Sequence, residues 1–275
     1  MNLAGRAKVG LKIAALAPAF ALGLPAQWLA LRSGGALPRH LPVTFHRYIT
    51  RVLGIRARID GTPCDGPVLI VSNHTSWLDI VVLGSLMPLS FIAKSEVGAW
   101  PLFGTLARLQ RTVFVDRQKK TATGAASRSI GRRLAGGDAM VLFAEGTTSD
   151  GGRVLPFRSA LLGAARAALE DERATVLVQP LSVIYTHRDG LPLGKAGRPF
   201  LAWYGDMDLV PHLAAILAGG PIDVAVSFGE PIPFAPNSNR KVIAALAETT
   251  VRMAARKAVT GRAGFDPGRE TAKEE

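Results

Sequence analysis

Short, continuous apolar runs alternate along the chain with stretches in which apolar positions recur every three or four residues. Seven runs rich in Val, Ile, Leu and Phe predict strands: 67–72 (PVLIVS), 90–93 (SFIA), 112–115 (TVFV), 139–144 (AMVLFA), 175–185 (TVLVQPLSVIY), 199–205 (PFLAWYG) and 222–228 (IDVAVSF). Their lack of polar alternation predicts burial on both faces. Helical patterns fall between them, at 76–87, 101–109, 121–136, 159–171, 209–218 and 238–259. The last has Ser238 or Asn239 as its cap after Pro236. It places Val242, Leu246 and Met253 on one stripe, with Arg240, Glu248 and Arg252 elsewhere. Strands alternating with helices predict an α/β fold, a mixed, largely parallel sheet flanked by helices. No repeat or long linker divides residues 36–260, which read as one domain, and 261–275 read as a frayed tail.

The N-terminus has a different pattern. Residues 13–31 (IAALAPAFALGLPAQWLAL) carry no charge, and a helix needs roughly 20 such residues to cross a bilayer core. Pro18, Gly23 and Pro25 are expected to break or kink it. Arg6, Lys8 and Lys12 precede it and Arg32, Arg39, Arg47 and Arg51 follow, so the distribution of positive charge sets no orientation. Residues 1–35 therefore read as a membrane segment, either a kinked span or an interfacial or re-entrant helix that returns to the cytoplasmic face. No small-x-small cleavage site precedes Arg32.

Composition points the same way. Hydrophobic residues make up 48% of the chain and charged ones only 20%, so lipid contact fits better than free solubility. Lys and Arg number 33 against 21 acidic residues, a balance of +12 that selects anionic partners. The stretch 117–133 (RQKKTATGAASRSIGRR) has six basic and no acidic residues and suits an anionic membrane or an acidic carrier protein. Nucleic acid is excluded as a partner by the absence of RNA-binding aromatic motifs and zinc-finger spacing. Cys64 is the only cysteine, so an intrachain disulfide and a cysteine-based zinc site are both excluded.

Three polar islands follow predicted strands, where α/β sheets collect their chemistry. In the first, VSNHTSWLDI (71–80), His74 and Asp79 are five residues apart. Two helical residues at that spacing point about 140° apart, so His74 must precede the helix and Asp79 reach back from its first turns. A carboxylate so placed holds one imidazole nitrogen while the other accepts a proton. The alternative makes Thr75 or Ser76 a helix cap and His74 an ordinary polar residue. The second island, FAEGTTSDGGRVLPFRSA (143–160), holds Glu145, Arg153 and Arg158 in a loop where Gly146, Gly151 and Gly152 let backbone amides approach an anion. The third, from AKSEVGAWPLFG to TVFVDR, supplies Lys94, Glu96 and Arg117. Asp206, Asp208 and His212 make a poor metal site without a further His or Cys, and no metal is expected. The serine-hydrolase elbow G-x-S-x-G is absent.

In order and spacing, NHTSWLD, KSEVGAWPLFG with VFVDR, FAEGTTSDGG with LPFRSA, and VQPLSVIY resemble the four blocks of the glycerolipid and lysophospholipid acyltransferase family, over about residues 65–190. The resemblance implies a membrane-bound enzyme that transfers a fatty acyl group from acyl-carrier protein or acyl-CoA to the hydroxyl of a lysolipid. No cofactor is implied beyond that acyl donor. It makes His74 the general base and Asp79 its orienting partner, and it assigns Glu145, Gly146 and Thr147 to the acceptor site. Arg117 falls on an anion-binding arginine and Pro180 on the proline of the fourth block. Amides at the start of the helix after His74 are expected to stabilise the oxyanion. Two positions depart from the family pattern: Ala144 stands for a proline and Thr148 for an arginine. The second removes a ligand for the phosphate of a 1-acyl-sn-glycerol-3-phosphate acceptor, for which Lys94, Arg117, Arg153 and Arg158 are candidate substitutes. Phosphatidic acid synthesis is the leading expectation. Thr148 and WYGDMDLVPHL also resemble the branch that acylates lyso-ornithine lipid, and a lipid hydrolase is the remote alternative. The expected location is the cytoplasmic membrane, with the site facing the cytosol.

Overall fold

The computed structural model describes residues 3–116, 120–166, 176–235 and 237–260. The chain begins with two helices, α1 (Leu3–Ser33) and α2 (Leu37–Leu53), followed by β1 (Ile55–Asp60), β2 (Val68–Ser72), α3 (Leu78–Leu86), β3 (Ser90–Lys94), α4 (Phe103–Leu109) and β4 (Val113–Val115). It continues through α5 (Lys120–Ala135), β5 (Ala139–Phe143), α6 (Ser159–Arg166), β6 (Val176–Arg188) and β7 (Leu191–Pro192). The last elements are α7 (Leu209–Ala218), β8 (Ile222–Phe228), β9 (Ile232–Phe234) and α8 (Arg240–Val259). The predicted extension of α6 to 171, Pro236, Arg117 and the tail 261–275 lie outside the described residues.

The strands form one sheet in the order β1-β8-β6-β2-β5-β3-β4, with β7 and β9 paired to β6. β6, β2, β5, β3 and β4 run parallel, whereas β8 joins β6 antiparallel and β1 joins β8 parallel. This is the mixed, largely parallel sheet predicted. β2 shows why its run lacks polar alternation. Leu69 and Val71 enter the core under α5, α6 and α8, while Val68 and Ile70 enter the opposite core with α2, α3 and α7. Pro180 is tolerated in central β6 because it falls between the β9 pairing, which ends at Val178, and the β8 pairing, which starts at Leu181.

Four expectations are corrected. Pro18 and Pro25 do not break the first helix: α1 runs through both as 31 residues. It is long and apolar enough to cross a membrane, and none of its most apolar 18-residue window is buried. Residues 199–205 form no strand. A short 3-10 turn at Arg198–Phe200 and a loop replace it. The expected apolar stripe of α8 faces outward, with Val242, Leu246 and Met253 all about half exposed or more. The buried face is Ile243, Ala244, Ala247, Val251 and Ala255, mostly small side chains that let the helix lie close to the sheet. Helix α2 and strand β1, finally, have no counterpart among the predicted elements. In α2, His46 is buried against Gly84 of α3, where an added Cβ would collide with the imidazole. Burial lowers the His46 pKa to about 4, so the ring is neutral where it braces α3.

Candidate active site

β2 ends at Ser72, and α3 starts at Leu78, so His74 lies in the connection and Asp79 is the second residue of the helix. His74 Nδ1 stands 2.8 Å from Asp79 Oδ2. Asp79 is fully buried and His74 is 18% exposed at the side chain. The same carboxylate oxygen accepts from the backbone N–H groups of Thr75 (2.7 Å) and Ser76 (3.0 Å), and Oδ1 accepts from the Tyr185 hydroxyl at 2.6 Å. A carboxylate surrounded by donors assigns the proton of the imidazole to Nδ1 and leaves Nε2 as the basic nitrogen. The imidazole stacks on Phe143, with centroids 3.8 Å apart and planes 10° apart, which fixes the ring plane. Asn73 clamps the connection from behind: its side chain exchanges two 2.9 Å hydrogen bonds with the backbone of Val183 on β6.

Of the amides near the start of the helix, where donors for an oxyanion were expected, those of Thr75 and Ser76 are committed to Asp79. Neither serine near His74 is placed as a nucleophile. Ser72 donates to the Asn73 carbonyl, and the Ser76 hydroxyl is buried without a hydrogen-bond partner.

The second island joins the first through its backbone. The Ser149 amide donates to the His74 carbonyl (2.8 Å), and Gly151, at φ +75°, lies against Thr75 and Arg198. Glu145 is buried: Oε1 accepts from the Leu155 amide at 2.9 Å, and Oε2 has no hydrogen-bond partner. Burial raises its pKa to about 8; the Leu155 and His74 amides pull it back, and the negative charge of Asp79 adds to the rise. Gly146 is buried, Thr148 is half-buried and Thr147 is exposed. Lys94, Arg153 and Arg158 are exposed at this edge of the sheet, and none makes a described hydrogen bond to His74 or Asp79. Asp206 and Asp208 are exposed, whereas His212 is buried with Nδ1 accepting from the Trp77 indole (3.0 Å). Among the described residues no group of three His, Cys, Asp or Glu side chains could hold a metal.

Sequence reasoning missed two residues. Tyr185 sat inside an apolar run, with only its hydroxyl as a clue. Arg198 lines a small gap with Thr75, Gly151, Ile184 and Tyr185, and its Nε is buried without a partner. The segment wrongly predicted as a strand forms an apolar rim beside them. The Trp203 amide donates to the Thr75 carbonyl (2.9 Å), and its ring meets exposed Trp100 edge to face at 5.8 Å.

A histidine held by a buried carboxylate at the carboxyl ends of parallel strands, under an apolar rim, suits proton abstraction from a lipid hydroxyl. The chain belongs to the acyltransferase family, whose model matches residues 44–184. It is an enzyme of lipid biosynthesis that acts on lysolipids. It is 48% identical over 260 residues to the lyso-ornithine lipid O-acyltransferase of Brucella abortus, covering 94% of this chain and 97% of that one. With the lyso-ornithine lipid O-acyltransferase of Rhizobium meliloti it shares 45% identity over 227 residues, 82% of this chain and 76% of the relative. The crystal structure of the 1-acyl-sn-glycerophosphate acyltransferase PlsC from Thermotoga maritima has the same fold, with a TM-score of 0.62 at 21% identity over 90% of this chain and 94% of that one.

Proposed function

We propose that the chain transfers a fatty acyl group from acyl-carrier protein or acyl-CoA to the hydroxyl of lyso-ornithine lipid, with α1 holding it on the cytoplasmic membrane and the site facing the cytosol. Similarity along nearly the whole chain to lyso-ornithine lipid O-acyltransferases carries this reading. Thr148, in place of the family's arginine, agrees with an acceptor whose headgroup has no phosphate. Phosphatidic acid synthesis, the leading expectation from the sequence, has less support. The likeness to PlsC extends to the fold alone.

His74 Nε2 takes the proton of the acceptor hydroxyl as its oxygen bonds to the thioester carbonyl carbon. Asp79 keeps Nδ1 protonated and stabilises the imidazolium that forms. The tetrahedral intermediate collapses with cleavage of the C–S bond, and the leaving thiolate takes the proton back from His74. Direct transfer is favoured because, among the described residues, neither Ser72 nor Ser76 pairs with the histidine, and the proposal invokes no cofactor beyond the acyl donor. The test offers the detergent-solubilised protein lyso-ornithine lipid and 1-acyl-sn-glycerol-3-phosphate separately, with each thioester donor, following thiol release and acylated product. Product from the ornithine acceptor is expected, with His74→Ala lowering kcat on the order of 10³-fold. Product from the phosphate acceptor alone would reverse the assignment.

A further inference from the structure

At the sheet edge opposite His74 lies a cavity of about 370 Å³, lined by Arg39, Arg111, Arg132, Arg133, Ser129 and Asp138 among others. Asp138 immediately precedes β5, and Glu145 follows that strand. The strand's five residues put roughly 17 Å between the two ends. The cavity is thus separate from the site already described.

Its charges do not balance. Asp138, the one carboxylate among the described lining residues, is fully used: Oδ1 pairs with Arg39 at 3.1 Å and Oδ2 with Arg111. Arg133 donates to the Arg111 carbonyl, and among the described residues no carboxylate lies within 4.0 Å of Arg132 or Arg133. Burial and the adjacent Arg111 charge press the Arg133 pKa down, as expected where positive charge is in excess. Four guanidiniums against one carboxylate among the described lining residues, in an open depression, fit an oxyanion that accepts forked hydrogen bonds, above all a phosphate.

The surroundings of the cavity favour a lipid as the source of that phosphate. The Gln27 side chain of α1 donates to the Pro38 carbonyl (3.0 Å) and the Leu109 carbonyl (2.8 Å), which brings the end of α1 to the same corner as Arg39 and Arg111. Trp28, Leu31 and Leu37, beside those anchor points in the chain, are exposed by 51%, 38% and 55%. A free anion has no use for this apolar surface, whereas the acyl chains of a phospholipid do.

We propose that the Arg39–Arg111–Arg132–Arg133 cavity is a headgroup site for an anionic phospholipid, distinct from the acceptor site. The site is independent of which lysolipid the enzyme acylates. The full-length protein is partitioned onto vesicles of phosphatidylcholine alone and of phosphatidylcholine mixed with phosphatidylglycerol. Arg132→Gln, an exposed position with no described structural partner, is expected to weaken binding to the phosphatidylglycerol vesicles about fivefold. Arg132→Gln with Arg133→Gln should weaken it roughly 25-fold. Binding to phosphatidylcholine stays unchanged, and so does binding of the exposed-charge control Lys195→Gln. An equal loss in Lys195→Gln, or none in Arg132→Gln, would overturn the site as a response to bulk charge. Inorganic phosphate raising the Tm of the wild type in detergent, with vesicle binding untouched by the variants, would assign the cavity to a free anion. A higher KM for acyl-carrier protein thioester in the variants, with partitioning unchanged, would make it a protein dock; either result overturns the lipid assignment.

Discussion

Asp79 and Glu145 are buried carboxyl groups following adjacent parallel strands, and their surroundings make them chemical opposites. Asp79 accepts four hydrogen bonds, from His74, Thr75, Ser76 and Tyr185. Glu145 accepts from the Leu155 amide, leaves one oxygen without a partner and has its pKa raised to about 8. Donors compensate the desolvation of the first; the second is neutralised by taking up a proton. One edge of the sheet therefore holds a carboxyl group that orients a base and, next to it, one whose burial favours the protonated form. Burial alone does not decide the charge of a carboxyl group. The number of donors aimed at it does.

The sharpest way to break this contrast is Asp79→Asn. The amide keeps the size but cannot hold the Nδ1–H tautomer, so kcat should fall on the order of 10³-fold with the fold retained, as read by thiol release and circular dichroism. Activity within a few-fold of wild type would show that Asp79 is only a helix brace. Tyr185→Phe removes one donor and should lower kcat about tenfold at unchanged KM. An unchanged kcat would reduce Tyr185 to packing.

Glu145→Gln should have the smallest effect near pH 7, within about threefold in kcat, because glutamine copies the neutral acid already present. Stability then separates the two. A carboxyl whose pKa is 4.5 unfolded and about 8 folded binds more protons in the folded state between those values. Wild-type stability therefore falls as pH rises from about 4.5 through 8, and Glu145→Gln should lose that slope. Melting curves between pH 5 and about 9 test this: the Tm advantage of the variant should grow with pH and level off above about 8. Parallel curves would mean that Glu145 is ionised throughout. Arg198 extends the comparison to the acceptor. The carboxylate of an ornithine headgroup offers a partner to this half-buried guanidinium, whose Nε has none, so Arg198→Gln should raise KM for lyso-ornithine lipid roughly tenfold and leave KM for the thioester unchanged.

Much of this was legible along the chain. Six of the seven strand runs fell where the strands are, because runs buried on both faces carry little polar interruption. The five-residue spacing of His74 and Asp79 required a histidine outside the helix and an aspartate within it, since no helix brings those positions together. The failures have physical causes too. β1 (IRARID) carries no continuous apolar run, because it is a peripheral strand buried at Ile55, half-buried at Ala57 and exposed at Ile59 and its charged positions. Val242, Leu246 and Met253 formed the more hydrophobic stripe of α8, yet the sheet accepted the alanine face because small side chains allow closer packing.

The sequence by itself determined the α/β class, the apolar N-terminal segment, the placement of chemistry after β2 and β5, and the family, since all of these depend on local pattern and short spacing. Only the tertiary structure decided that Tyr185, 106 residues from Asp79, completes its hydrogen bonds, and that the Thr75 and Ser76 amides serve the carboxylate. It also decided that burial raises the pKa of Glu145 to about 8 and that four arginines from three chain segments share one cavity. Each of these follows from which groups are buried together, and that is set by the order in which strands distant in sequence lie side by side.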